Sequence, residues 1–420
     1  MHSSVEPAGW EPRYAGRAGR MRASEIRELL KVLDQPGIVS FAGGIPDPAL
    51  FPIAEAKAAY GAILSDAAQA ASGLQYSTSE GHLPLRGWIV RHMASLGVPC
   101  EPDNILITSG SQQALEFLGR LLLSPGDTAL VTAPTYLGAL QAFSASEPRF
   151  DELNPERGNR TPASYADAAR SAGGEVKLAY AVPSFANPTG ETLSPKARER
   201  LIDLAAELDV PIVEDAAYAM LRFEGDPLPS ILALEVARRG SVERARAIYC
   251  GTFSKVLSPG LRVGWIVASR PVIRRLVLVK QASDLNSATV NQMVVQRLAE
   301  AVFDRQVQAA RAHYGRRRDA MLAALERHMP DGVAWTRPAG GLFVWVTLPE
   351  GHDGAALLER SLAEAGVAFV PGAAFYFDGR GRNTLRLSFS LPGEEDIDEG
   401  IRRLDGLVRC QPFTGFADRR

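Results

Sequence analysis

Lys255 ends the segment Gly251-Thr252-Phe253-Ser254-Lys255, and the 46 basic residues of the chain comprise 40 Arg and only 6 Lys. An amine so placed can condense with an aldehyde. Other polar residues share its setting, because each directly follows a short apolar run. Thr108-Ser109-Gly110-Ser111-Gln112 follows Ile105–Ile107, and Tyr136 follows a run ending at Val131. Asn187-Pro188-Thr189-Gly190 follows Val182, and Glu214-Asp215-Ala216-Ala217-Tyr218 follows Ile212-Val213. Small residues opening a helix leave free N–H groups that hold a phosphate. The set therefore offers an anion cradle, an aromatic ring, an amide, a carboxylate, a phenol and an amine. An aldehyde cofactor with a phosphate, a flat ring, a pyridine nitrogen and a phenolic oxygen would use all of them.

The elements that must position these residues are legible as a pattern. Between about 100 and 270, apolar runs at 105–107, 129–131, 178–182, 212–213, 247–249 and 263–267 alternate with amphipathic stretches such as 111–123 and 195–208. Ser194 before Pro195 is an N-cap signal. Apolar strands alternating with helices predict an α/β fold with a mostly parallel sheet, covered by helices on both faces. Ligands of such sheets sit beyond the carboxyl ends of the strands, where the polar residues above cluster. Ser24 caps a predicted helix through Ile26, Leu29, Leu30 and Leu33, and 40–48 is a loop. A long polar helix is expected over 300–330, with strands at 341–348 and 384–390 of a smaller α+β unit. The expected organisation is a flexible arm (1–20), a large domain (56–299) and a small domain made of 21–55 and 300–420. Among the lysines, Lys177 falls at the amino end of its strand, and Lys31, Lys57, Lys196 and Lys280 read as helix-surface positions.

In order and spacing, these segments resemble fold-type I pyridoxal-5'-phosphate (PLP) aminotransferases of class I/II. The resemblance rests on Ser109-Gly110-Ser111-Gln112, Pro134-Thr135-Tyr136, Asn187-Pro188-Thr189-Gly190, Glu214 to Tyr218, Thr252 to Lys255, Arg262 and Arg386. It covers about residues 20 to 410. It implies that Lys255 forms the Schiff base and shuttles protons, and that Asp215 pairs with the pyridinium nitrogen. By the same resemblance Asn187 and Tyr218 bond the ring hydroxyl and Tyr136 stacks on the ring. Ser111, Gln112, Thr252, Ser254 and Arg262 would hold the phosphate, and Arg386 would grip the substrate α-carboxylate as a planar fork. Tyr76 resembles the tyrosine that reaches a neighbouring subunit's cofactor, which implies a homodimer with shared active sites. Ala23 to Leu30, Ile38 to Gly44 and Gly340 to Phe343 resemble the 2-aminoadipate and kynurenine aminotransferases. In the former, an arginine matching Arg27 binds a distal carboxylate, and Gly44 would lie close to the substrate. Ala186 departs from the pattern, since a larger polar residue such as glutamine is usual there.

Composition bounds the rest. The chain has 420 residues, 46% hydrophobic and 22% charged, with a net charge of −2. This is ordinary globular composition, with no signal for nucleic acid or an anionic membrane as partner. Three scattered cysteines suggest no disulfide framework, and the histidine spacing suggests no metal site. With no apolar leader and no apolar run near ~18 residues, the expected address is the cytoplasm.

The reaction so implied moves an amino group from an amino acid to a 2-oxo acid such as 2-oxoglutarate by a ping-pong course. The amino acids expected are 2-aminoadipate, glutamate or large apolar or aromatic ones. A decarboxylase or β-lyase would keep the cofactor and break another bond. Arg386 favours transamination, because holding the carboxylate presents Cα–H. An aminotransferase-like ligand sensor behind a winged helix is the rival of a different class, and about 20 preceding residues leave no room for one.

Overall fold

A computed structural model describes residues 9–20 and 37–409. Arg27, the helix expected from Ser24 and Cys410 lie outside the described residues. Residues 9–20 form two short 3-10 turns, Glu11–Arg13 and Gly16–Arg20.

The chain then passes through a short strand β1 (Val39–Ser40) and helices α1 (Ile53–Ser65), α2 (Ala67–Leu74) and α3 (Leu83–Ser95). Next come β2 (Ile105–Thr108), α4 (Ser111–Leu122), β3 (Thr128–Thr132), α5 (Leu137–Ser144), β4 (Arg149–Leu153), α6 (Pro162–Ser171) and β5 (Val176–Ala181). They continue with α7 (Pro195–Leu208), β6 (Ile212–Asp215), α8 (Ile231–Arg239), β7 (Ala247–Thr252), β8 (Gly264–Val267) and α9 (Arg270–Gln281). Local chemistry sets these bounds. Ser194 Oγ accepts from the Ala197 amide and Pro195 opens α7, while Ser230 Oγ caps α8 through Ala233.

The seven strands β2–β8 form one sheet in the order β2-β8-β7-β6-β5-β3-β4. Every pairing is parallel except those of β8, which runs antiparallel to both β2 and β7. β2, β6 and β8 are buried along their whole length, as expected for strands covered on both faces.

A helix α10 spans Thr289–His328. It is longer than the sequence pattern suggests and not simply polar, because Leu298, Val302, Phe303, Met321 and Leu325 are buried along it. It runs through residue 300, so one continuous helix belongs to both expected domains. Beyond it lie β9 (Ala334–Trp335), β10 (Phe343–Thr347), α11 (Gly354–Arg360), β11 (Val367–Ala368), β12 (Val370–Pro371), β13 (Thr384–Ser388) and α12 (Glu394–Arg409). A four-stranded sheet has the order β12-β13-β10-β9, and β1 pairs in parallel with β11. Among the described residues no helix is long and apolar enough to cross a membrane, and no cluster of His, Cys, Asp or Glu could hold a metal.

Candidate active site

The parallel strands deliver Ser109, Tyr136, Asn187, Asp215 and Lys255 to one edge of the large sheet. Because β8 runs the other way, its amino end falls on that edge, which brings in Arg262 just ahead of Gly264. The pleat then separates two adjacent acids, since successive side chains point to opposite faces. Glu214 turns away, and its carboxylate accepts the Ile231 and Leu232 amides at the start of α8. Asp215 turns toward Lys255.

The cradle forms where β2 passes into α4. The helix cap is Gly110 rather than Ser111, with φ 85 and ψ 164 and no side chain to take up the first amides. Those amides have no intrahelical acceptor, so they remain available to an anion. Glycine suits this turn because L side chains rarely adopt a φ of 85, and a Cβ would also crowd the end of the Arg262 side chain, 2.4 Å from its Nη2. Arg262 donates to the carbonyls of Pro259 and Ser109, each at 3.2 Å. Thr252 Oγ1 donates to Ser254 Oγ at 2.9 Å, closing the opposite wall. Gln112 Nε2 donates to the Gly138 carbonyl at 2.7 Å, and its Oε1 accepts from the Tyr136 hydroxyl at 3.3 Å. The donors, backbone amides and guanidinium suit a phosphate. A pocket of about 430 Å³ opens beside them, lined by Ser109, Gln112, Gln113, Glu116 and Arg262 among others.

Lys255 Nζ donates to the Gly44 carbonyl at 3.1 Å and lies 5.6 Å from the centre of the Tyr218 ring. Burial pulls its pKa down to about 8; Arg386 and Arg262 add to this, and Asp215 opposes it. Burial has the reverse effect on Asp215, lifting its carboxyl to about 6 despite hydrogen bonds from Tyr180 and Ala217 and the nearby Lys255. Asp215 is 3% exposed, and Tyr180 donates to its Oδ2 at 2.9 Å. A buried carboxylate with no ion-pair partner in contact among the described residues suits a protonated ring nitrogen. Burial also pushes the Tyr218 phenol well above its ordinary range.

Arg386 is 1% exposed in the middle of β13. Its Nη1 donates to Asn187 Oδ1 at 2.8 Å, its Nη2 to the Ala42 carbonyl at 2.6 Å, and its Nε is buried without a partner among the described residues. The guanidinium lies between Phe343 and Phe375, 4.4 and 5.0 Å from their ring centres. Its partners are neutral oxygens, so its charge remains for an anion to answer; burial meanwhile lowers its pKa to about 10.

The structure thus brings together Gly44, Ser111, Gln112, Tyr136, Asn187, Asp215, Tyr218, Thr252, Ser254, Lys255, Arg262 and Arg386. Gly44 packs so closely on Phe343 that a Cβ would meet its ring at 2.4 Å. Tyr76 stands apart at 80% exposure. Three residues escaped the sequence reading: Tyr180, Phe375 and Lys280. Tyr180 lies inside an apolar strand run and reads as core; its one signal was a hydroxyl that a buried strand must satisfy. Lys280 is a correction. It is 0% exposed, not on a helix surface, because Asp284 one turn later pairs with its ammonium at 2.9 Å. Lys57 and Lys196 are exposed as expected.

Known proteins share this fold. The model of the class I and II aminotransferases matches residues 42–404. Aromatic-amino-acid aminotransferase 1 of Thermococcus litoralis is 42% identical over 407 residues, covering 95% of each chain. The alpha-aminoadipate aminotransferase of Thermus thermophilus, solved with N-(5'-phosphopyridoxyl)-L-leucine, is 40% identical with a TM-score of 0.85, covering 96% of this chain and 98% of that one. Pyrococcus horikoshii kynurenine aminotransferase is 42% identical with a TM-score of 0.87, at the same coverage.

Proposed function

Because this chain belongs to the class I and II aminotransferases, and so is a PLP-dependent aminotransferase of fold type I, we propose that it takes amino groups from 2-aminoadipate, glutamate or large apolar or aromatic amino acids and passes them to a 2-oxo acid such as 2-oxoglutarate. The observation that carries this reading is the approach of Lys255 and Arg386 within one buried site. An amine poised near neutrality faces a cation without a carboxylate partner among the described residues.

PLP, when bound, supplies the aldehyde carbon for attachment and a ring that takes up the electron pair released at the substrate Cα. The chain's own residues do the rest. The amides of Ser111 and Gln112, with Arg262, Thr252 and Ser254, hold the phosphate. Asp215 keeps a proton on the ring nitrogen. Asn187 and Tyr218 bond the ring oxygen, and Tyr136 covers the ring face. Arg386 grips the α-carboxylate of amino acid and 2-oxo acid alike, which turns Cα–H toward Lys255. Lys255 Nζ, beside that Cα, would take up its proton and hold it for return.

The donor range follows the substrates for which the relatives are named, which include aromatic amino acids, aminoadipate and kynurenine. Arg27 would answer a distal carboxylate, and Gly44 would lie close to the substrate. Exposed Tyr76 fits a homodimer in which each subunit reaches its partner's cofactor. Residues 56–299 would form the large domain and 21–55 with 300–420 the small one, in a cytoplasmic enzyme.

Absorption spectra of the purified enzyme test this, with Lys255→Ala beside it. The visible band of PLP held on Lys255 should bleach with 2-aminoadipate, glutamate, leucine or kynurenine and return with 2-oxoglutarate. A band that none of these amino acids converts lastingly to the amine form would overturn the proposed reaction and point to a lyase or decarboxylase.

A further inference from the structure

Lys280, near the end of α9, is a fully buried cation that takes no part in the chemistry above. Burying an ammonium costs several kcal/mol unless charge and hydrogen bonds answer it. Here its Nζ donates to Asp284 Oδ1 and Oδ2 at 2.9 and 3.1 Å, to Ser287 Oγ at 3.0 Å and to Gln113 Oε1 at 3.2 Å.

All three partners converge on Ser109. Gln113 Oε1 accepts from the Ser109 amide at 2.8 Å, and Gln113 Nε2 donates to Asp284 Oδ2 at 2.8 Å. The Ser109 hydroxyl donates to Asp284 Oδ2 at 3.3 Å and lies 3.1 Å from Ser287 Oγ. From the other side Arg262 holds the Ser109 carbonyl. The amide and hydroxyl of Ser109 are therefore tied to the buried pair, and its carbonyl to the cradle arginine. Ser109 immediately precedes Gly110, whose backbone lies in a region that only glycine populates readily. Backbone bonds shape the turn itself, from the Gly110 amide to the Thr108 carbonyl at 2.8 Å and from the Gln113 amide to the Gly110 carbonyl at 3.2 Å. The side-chain network adds the tie between Ser109 and the buried pair.

We propose that the buried Lys280–Asp284 pair is the positioning element of the phosphate cradle, setting the 109–111 turn through Gln113, Ser287 and Ser109 without touching the phosphate. This rests on the reading of that turn as the seat of the PLP phosphate. A purely architectural role for the pair, tying α9 to α4, would make it matter equally for any ligand of the site. A positioning role makes it matter for the phosphate alone.

The two roles separate when apoenzyme prepared from the full chain is titrated with PLP and with pyridoxal, which lacks the phosphate. Lys280→Met should weaken PLP by about tenfold or more while pyridoxal stays within about twofold, as loss of charge-assisted geometry would produce. Gln113→Ala, which cuts the link to the Ser109 amide and leaves the ion pair whole, should shift the same ratio by less. It keeps the test available if Lys280→Met does not fold. Equal weakening of both ligands, or no weakening of either, overturns the proposal. A wild-type enzyme that bound PLP and pyridoxal alike would instead overturn the cradle reading, and the inference with it. A wild-type preference left intact by the substitutions overturns the inference alone.

Discussion

Arg386 Nη1 donates to Asn187 Oδ1 at 2.8 Å, joining a strand of the four-stranded sheet to a loop of the seven-stranded one. The residue assigned to the substrate carboxylate is thereby held by the residue assigned to the cofactor ring oxygen. Anything that shifts one shifts the other.

The first expectation concerns that fork. Lysine in place of Arg386 cannot serve Asn187, the Ala42 carbonyl and a carboxylate together. Arg386→Lys should lower kcat/KM by roughly tenfold to a hundredfold, as loss of charge-assisted hydrogen bonds implies. Most of this should come through KM, for amino acid and 2-oxo acid alike. Steady-state kinetics on both half-reactions checks it, and an effect confined to one substrate would contradict a shared carboxylate site.

Asp215 links the site to stability. Its carboxyl is raised from 3.8 to about 6 by burial. The folded, cofactor-free protein thus holds that proton more tightly than the unfolded chain. The contribution is fully present below about pH 4 and is lost as pH rises through about 6. Two units correspond to about 3 kcal/mol. Asp215→Asn should make the apoenzyme more stable than wild type at pH 7 by up to that amount. It should also lower transamination by about a hundredfold or more, through the ring nitrogen. Denaturant curves at pH 4 and 7 give the first number, and a pH-independent difference would contradict it.

Lys255 sets a kinetic expectation. Only the neutral amine attacks an aldehyde, and burial brings its pKa down to about 8. The rate at which apoenzyme attaches PLP should rise with pH, pass half its plateau near pH 8 and level off above about pH 9, well before an ordinary lysine would reach its midpoint. Stopped-flow absorbance over this range measures it.

Gly110→Ala probes the cradle directly. The added methyl would meet Arg262 Nη2 at 2.4 Å in a backbone conformation disfavoured for alanine. Such strain is worth about 1–3 kcal/mol, so PLP affinity should fall by roughly tenfold to a hundredfold. Equilibrium titration with PLP checks it, and unchanged affinity would remove the Gly110 turn from the phosphate site.

Much of this was legible in the sequence because strand ends and helix starts carry local signals. The apolar runs predicted all the strands that carry cofactor-side residues, and Ser194-Pro195 marked α7. What stayed hidden depended on partners distant in sequence. Lys280 read as a surface residue because a lysine with Asp284 one turn on is an ordinary surface pair, and nothing local announces that Gln113 of α4 will close over it. Tyr180 read as core because alternation alone does not say that its hydroxyl meets Asp215. The extent of α10 was underestimated because it packs on different neighbours along its length, which blurs any single apolar stripe.

The antiparallel strand β8 and the late strand β13 also order events in time. As the chain leaves the ribosome, every residue assigned to the ring and the phosphate has been made once β8 is complete, whereas Arg386 in β13 comes several elements later. A nascent chain can therefore possess its cofactor groups before it possesses any means of holding an amino acid by its carboxylate, so chemistry on free amino acids must wait for the last sheet to form.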